Sequence, residues 1–180
     1  VVKGFISRVK ERANGAEVTR RRDAALAALS DAVTADSKSP LVPSALLQQG
    51  ELLTRKADAE FAAAQRGGVL APAATTATTN ATTAPGTAKG LPARGAIGTF
   101  ERPEYGAAIA RFDELLKSFP NDPLADVAAY TLGALAFVSQ RYDDAARAFQ
   151  VVMTKEGSPF RAEAFFRNGD GRFEQAAKLS

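Results

Sequence analysis

Asn168, Asp170, Gly171 and Glu174 have the residue types of a calcium-binding loop. With Gly171 in the sixth place of such a loop, the first falls on Phe166 and the twelfth on Ala177, and neither side chain can donate an oxygen. Asp113-Glu114 and Asp143-Asp144 offer paired carboxylates, the groundwork of acid–base or metal chemistry. Neighbouring residues on a helix point about 100° apart, so the members of each pair do not converge, and both read as solvated faces. Serine, threonine and lysine nucleophiles are present, but the 180-residue chain contains no histidine and no cysteine. That removes the commonest general base, the usual zinc ligands, disulfides and thiol catalysis together. No glycine-rich phosphate loop followed by Lys-Ser or Lys-Thr occurs. The reading is a protein that is not an enzyme, with no catalytic residues, no metal and no cofactor.

The elements around these residues read as helices. Val2, Phe5, Ile6 and Val9 share one helical face, and Asn14-Gly15 is expected to end that first helix. A second helix is expected over 18–36, with Ala25, Leu29, Ala32 and Val33 inward. A third runs from Ser44 to about Gln65 and stops at Gly67-Gly68. Further helices are expected over 103–118, 123–139, 141–155 and from 159 onward. Pro123 and Pro159 sit close to helix starts, where a missing N–H costs nothing. Asn168-Gly169-Asp170-Gly171 leaves two readings of the last segment open. Either the helix continues through both glycines at about 1 kcal/mol each, or a turn forms and a short final helix begins near Phe173.

Between the helical blocks the composition changes. The stretch from Ala71 through Thr75, Thr76, Thr78, Thr79 and Asn80 to Pro92 has almost no large apolar side chain. It cannot bury enough surface to offset its ordering entropy and reads as a flexible Ala/Thr/Pro-rich insertion over 67–101. It separates a block at 1–66, holding the N-terminal helices and the first repeat helices, from a block of repeats at 102–180.

The net charge of +3 is too small to argue for nucleic acid. Its distribution is uneven: Lys3, Arg8, Lys10, Arg12, Arg20, Arg21 and Arg22 face only Glu11 and Glu17 within the first 22 residues. This basic end suits a solvated helix face, and an acidic lipid surface or acidic partner is the sharper alternative. No run approaches the 18 apolar residues a bilayer span requires. The chain begins with Val1, so it reads as processed or as part of a longer polypeptide, with any signal peptide or lipid-anchor cysteine outside it.

The strongest pattern is internal repetition. Tyr105, Ala108 and Phe112 recur 37 residues later as Tyr142, Ala145 and Phe149. Ala129, Tyr130 and Gly133 reappear 36 residues on as Phe165, Phe166 and Gly169. An upstream offset of 83 places Gly133 on Gly50, Tyr130 on Leu47, Phe112 on Leu29 and Ala108 on Ala25. A fixed period in this range is the signature of stacked helical repeats. The set Leu132, Gly133, Tyr142, Ala145 and Phe149 resembles the tetratricopeptide repeat, although the leading aromatic of that pattern is Ala129 here and a later tyrosine is Ala136. The alanine-rich helices and long period are similar to bacterial periplasmic and outer-membrane members of the family. The resemblance covers roughly 18–66 and 103–175.

The resemblance implies an all-α fold: antiparallel helix pairs stacked as a right-handed tetratricopeptide-like solenoid, with a long low-complexity insertion. Gly133 and Ala145 are expected at a tight helix–helix contact. The first helix of each unit would supply a concave surface, which carries over here to Leu47, Glu51, Arg55, Val127, Tyr130, Ala134, Phe137, Phe166 and Asp170. Of these, Arg55, Tyr130, Phe137 and Phe166 are the candidate partner-binding residues. The Lys and Asn clamp of members that bind a peptide carboxylate is replaced by Tyr130 and Ala134, or by Leu47 and Glu51, so that mode is not carried over. The implied function is a protein–protein interaction scaffold or structural subunit of a bacterial cell-envelope assembly. Its partners would be other proteins or peptide segments, and its location the periplasm or the periplasmic side of the outer membrane, with peripheral or lipid-anchored attachment left open. The alternatives are a cytoplasmic peptide-binding regulatory module and an accessory repeat domain of a larger enzyme.

Overall fold

The computed structural model describes residues 2–67 and 102–177, with side chains from 14 to 65 and from 102 to 177. The insertion expected at 67–101 lies outside the described residues from 68 on. The described residues form six helices and no strand: α1 Val2–Ala35, α2 Val42–Gly67, α3 Gly106–Ser118, α4 Ala125–Val138, α5 Tyr142–Met153 and α6 Arg161–Ala177. The all-α class read from the sequence holds. Each helix packs on the next in the chain, and α4 also touches α6.

Two helix pairs repeat one packing device. In α4 and α5, a side chain begun at Gly133 would lie 2.6 Å from Cε1 of Phe149. In α2 and α3, a side chain begun at Gly50 would lie 2.5 Å from Cε1 of Phe112. Both rings are completely buried. The glycine lets the aromatic ring lie directly on the backbone of the first helix, which brings the two axes close. Contacts in each pair run in opposite chain directions: Tyr105 meets Asp58 while Phe112 meets Gly50, and Tyr142 meets Phe137 while Phe149 meets Gly133. Each pair is therefore antiparallel. Ala108, Ala128, Ala129, Ala136 and Ala145 fill the spaces beside the rings, and all are buried.

The helix ends follow from local chemistry. Asp122 Oδ1 accepts from the Leu124 N–H at 2.8 Å, and this turn opens α4 two residues after Pro123. α4 ends in a paired-carbonyl stop. The Gln140 N–H reaches Phe137 O and the Arg141 N–H reaches Ala136 O, with Gln140 in the left-handed region at φ 59. Asp143 and Asp144 stand in the first turn of α5, where they complement the helix dipole. Lys155 Nζ then ties the end of α5 to Asp126 Oδ1 at the start of α4, 2.5 Å away.

One local expectation changes, and one open reading is decided. The helix expected to stop at Asn14-Gly15 runs on, and α1 is continuous from Val2 to Ala35. Both residues are exposed, so they cost only their weak propensity within a long helix, and nothing packs there to force a turn. At the other end α6 continues through Gly169 and Gly171, which decides between the two readings left open. Gly171 is buried, with the Phe137 ring 3.7 Å from where its side chain would begin. That packing anchors the helix at its weakest stretch.

Tyr105 gives the α2–α3 pair a dependence on pH. Its buried hydroxyl donates to Asp58 Oδ1 at 2.5 Å. The hydroxyl pKa is pushed from 10.0 to about 12, first by burial, then by the hydrogen bond to Asp58 and by that carboxylate's charge. A folded-state pKa above the unfolded one means stability fully present below the unfolded value and lost as pH climbs through about 12. Replacing Tyr105 by Phe should cost about 1 kcal/mol at neutral pH. It should also flatten the alkaline loss of stability that wild type shows from pH 10 upward. Urea unfolding at stepped alkaline pH checks this, and parallel wild-type and variant curves would count against the coupling.

Candidate partner-binding surface

The four residues singled out from the sequence occupy different surroundings. Arg55 is exposed on α2. Tyr130 is half-buried: its ring stacks on Phe160 with centroids 4.9 Å apart and tilts against Phe149 at 6.1 Å. Phe137 is half-buried and meets Tyr142 edge-on at 5.6 Å. Phe166 is 63% exposed on α6. The rings of Tyr130 and Phe137 thus pack within the helix stack, whereas that of Phe166 faces solvent.

Phe166 is not isolated. Phe165 on the same helix is 51% exposed and Phe173 is 73% exposed. α6 buries Ala164, Asn168 and Gly171 against the preceding helices. Phe166 and Phe173 lie on the opposite side, seven residues apart, with Gly169 between them and Phe165 at the edge. The guanidinium of Arg161 sits 5.8 Å from the Phe165 ring centre. Glu163 pairs with Arg167 at 2.9 Å, which holds that guanidinium more basic than usual, and Gln175 Nε2 donates to Asp143 Oδ1 of α5. The Gln175 bond to Asp143, with Arg161 Nε donating to Met153 O at 3.0 Å, ties α6 to α5 while its apolar side stays outward. The sequence reading missed Phe165 and Phe173 as surface residues. The signal was present in the spacing, but it emerges only when one helix is drawn through both glycines.

A cleft of about 640 Å³ lies between α3 and α5 on other faces of the stack. Ile109, Leu132 and Ala148 line it, with Asp113, Lys117, Arg141, Asp144 and Arg147 around them. Asp113 pairs with Lys117 at 2.6 Å, and Asp144 binds both Arg141 and Arg147. The carboxylates read from the sequence as solvated thus engage basic neighbours within a helical turn, and no nucleophile–base pair is assembled among them. Among the described residues no group of His, Cys, Asp and Glu could hold a metal ion. No helix of the described residues is long and apolar enough to cross a membrane.

No family model, curated protein or solved structure matches this chain. What stands, among the described residues, is an all-helical fold with two glycine-on-phenylalanine pairs and an outward aromatic face on its last described helix.

Proposed function

We propose that this chain is a non-catalytic helical-repeat scaffold that holds other proteins. The observation that supports it best is the outward face of α6, where Phe165, Phe166 and Phe173 are each more than half exposed. Apolar patches of this kind, rimmed by charged groups, mark protein contact surfaces. Arg55, exposed on α2, is proposed as a further contributor, whereas Tyr130 and Phe137, whose rings pack on Phe149, Phe160 and Tyr142, are proposed to act by shaping the stack beneath that surface. The recurrence of the glycine-and-phenylalanine pair supports a tetratricopeptide-like, right-handed solenoid. The setting we propose is a cell-envelope assembly on the periplasmic side of a Gram-negative outer membrane. Its support is the similarity of its alanine-rich, long-period repeats to envelope members of that family.

The test compares the full chain with a variant carrying Phe165→Ser, Phe166→Ser and Phe173→Ser. These rings are exposed, so helicity by circular dichroism should be unchanged. Affinity capture from envelope extract, quantified by mass spectrometry, should recover a stoichiometric partner with the wild type and lose most of it with the variant. Equal recovery would remove α6 from the binding surface. No stoichiometric partner with either chain would sink the scaffold reading.

A further inference from the structure

The outward face of α6 repeats a face that α4 presents to α5. Thirty-six residues after Tyr130, Gly133 and Phe137 stand Phe166, Gly169 and Phe173. On α4 those three positions receive one helix: the Phe149 ring lies over Gly133 and beside Tyr130, and Tyr142 meets Phe137 edge-on. On α2 the matching glycine, Gly50, receives Phe112 of α3 in the same way. On α6 nothing lies within 4 Å of the point where a Gly169 side chain would begin. Ala162 and Ala176, both exposed, extend the stripe at either end.

The helices that fill the two occupied seats share one pattern. Tyr105, Ala108 and Phe112 in one, and Tyr142, Ala145 and Phe149 in the other, place an aromatic, an alanine and a phenylalanine at the first, fourth and eighth positions. Resting on the scaffold reading, we propose that the α6 face is a seat for one α-helix of a partner protein carrying this pattern. The helix lies antiparallel to α6. Its leading aromatic packs against Phe173, its phenylalanine drops over Gly169 beside Phe166, and its alanine allows the close approach. The seat continues an interface the chain already forms twice, with the same glycine notch and the same flanking positions. A second copy of this chain is a poor donor, because Phe112 and Phe149 are both fully buried in their own pairs.

A labelled synthetic peptide of residues 141–155 carries the pattern and serves as the probe, titrated against the full chain by fluorescence anisotropy. Binding should saturate. The same peptide with alanine at the Phe149 position should bind about thirtyfold more weakly, as expected for loss of a buried aromatic anchor. Gly169→Leu in the chain meets no neighbour, so it should leave thermal stability unchanged or higher while weakening the peptide by at least roughly tenfold. Equal affinity for wild type and Gly169→Leu would mean that the peptide exchanges for α5 or binds elsewhere, and would overturn the proposal. So would absence of binding, or a dimer seen by sedimentation that Gly169→Leu dissolves, since the occupant would then be a second copy. If the peptide fails while the triple-serine variant still loses its captured partner, the scaffold reading survives and the helix seat does not.

Discussion

Phe149→Ala is expected to lower folding stability by about 3–5 kcal/mol, the usual range for emptying a packed phenylalanine site. The ring is completely buried, lies on the Gly133 backbone and touches Tyr130, which in turn stacks on Phe160. Removing it leaves a void bounded by a glycine, the one residue that has no side chain to move inward. Relaxation is therefore limited, and the cost should fall in the upper half of that range. For a chain of this length the melting temperature should drop by roughly 10 °C or more. Phe112→Ala should behave alike, because Phe112 fills the matching place over Gly50. Urea denaturation measures the effect. A loss under about 1 kcal/mol for Phe149→Ala would show that the ring is not the wedge between α4 and α5.

Gly133→Leu is expected to cost about 2–3 kcal/mol net. A first side-chain carbon at this position would already lie 2.6 Å from the Phe149 ring, well inside van der Waals contact, and a leucine adds three more carbons behind it. The ring is enclosed on all sides, so the helices must separate or Phe149 must leave its rotamer. Leucine's better helix propensity returns only about 1 kcal/mol. The matched control is the same substitution at Gly169, 36 residues on, where no neighbour stands and the propensity gain is unopposed. The thermal melt should fall for Gly133→Leu and hold or rise for Gly169→Leu. Combining Gly133→Leu with Phe149→Ala should cost at least 1 kcal/mol less than the two single losses added, because the leucine enters the vacated space. Additive losses would mean that the two residues do not share one contact.

Much of this architecture is legible in the residues because its determinants are short-range patterns. Helical spacing of apolar residues marks every helix of the stack, and Pro120, Pro123 and Pro159 lie in the turns between them. The recurrence of Tyr105, Ala108 and Phe112 as Tyr142, Ala145 and Phe149 pairs α3 with α5 as equivalent helices, and the 83-residue offset pairs Gly50 with Gly133. Both glycines do lie under phenylalanine rings, although the sequence distance between glycine and ring is 16 residues in one pair and 62 in the other. A repeat pattern survives such an insertion because loop length costs only logarithmically, while the same packed pair recurs in three dimensions.

The sequence by itself determined the helical class, the repeat register and the absence of histidine and cysteine chemistry, because spacing and composition are properties of the chain alone. Only the tertiary structure decided the fate of equivalent residues. Gly133 and Gly169 share a register, yet one lies beneath a ring and the other is open. Tyr130 and Phe166 share a register, yet one is stacked on Phe160 and the other is solvent-exposed. Asn14-Gly15 and Gly169-Asp170-Gly171 have the composition of turns, yet both lie inside helices. In each case local propensity is worth about 1 kcal/mol, and the presence or absence of a neighbouring helix is worth several. Which neighbour arrives is a property of the stack, and no window of sequence around the residue contains it.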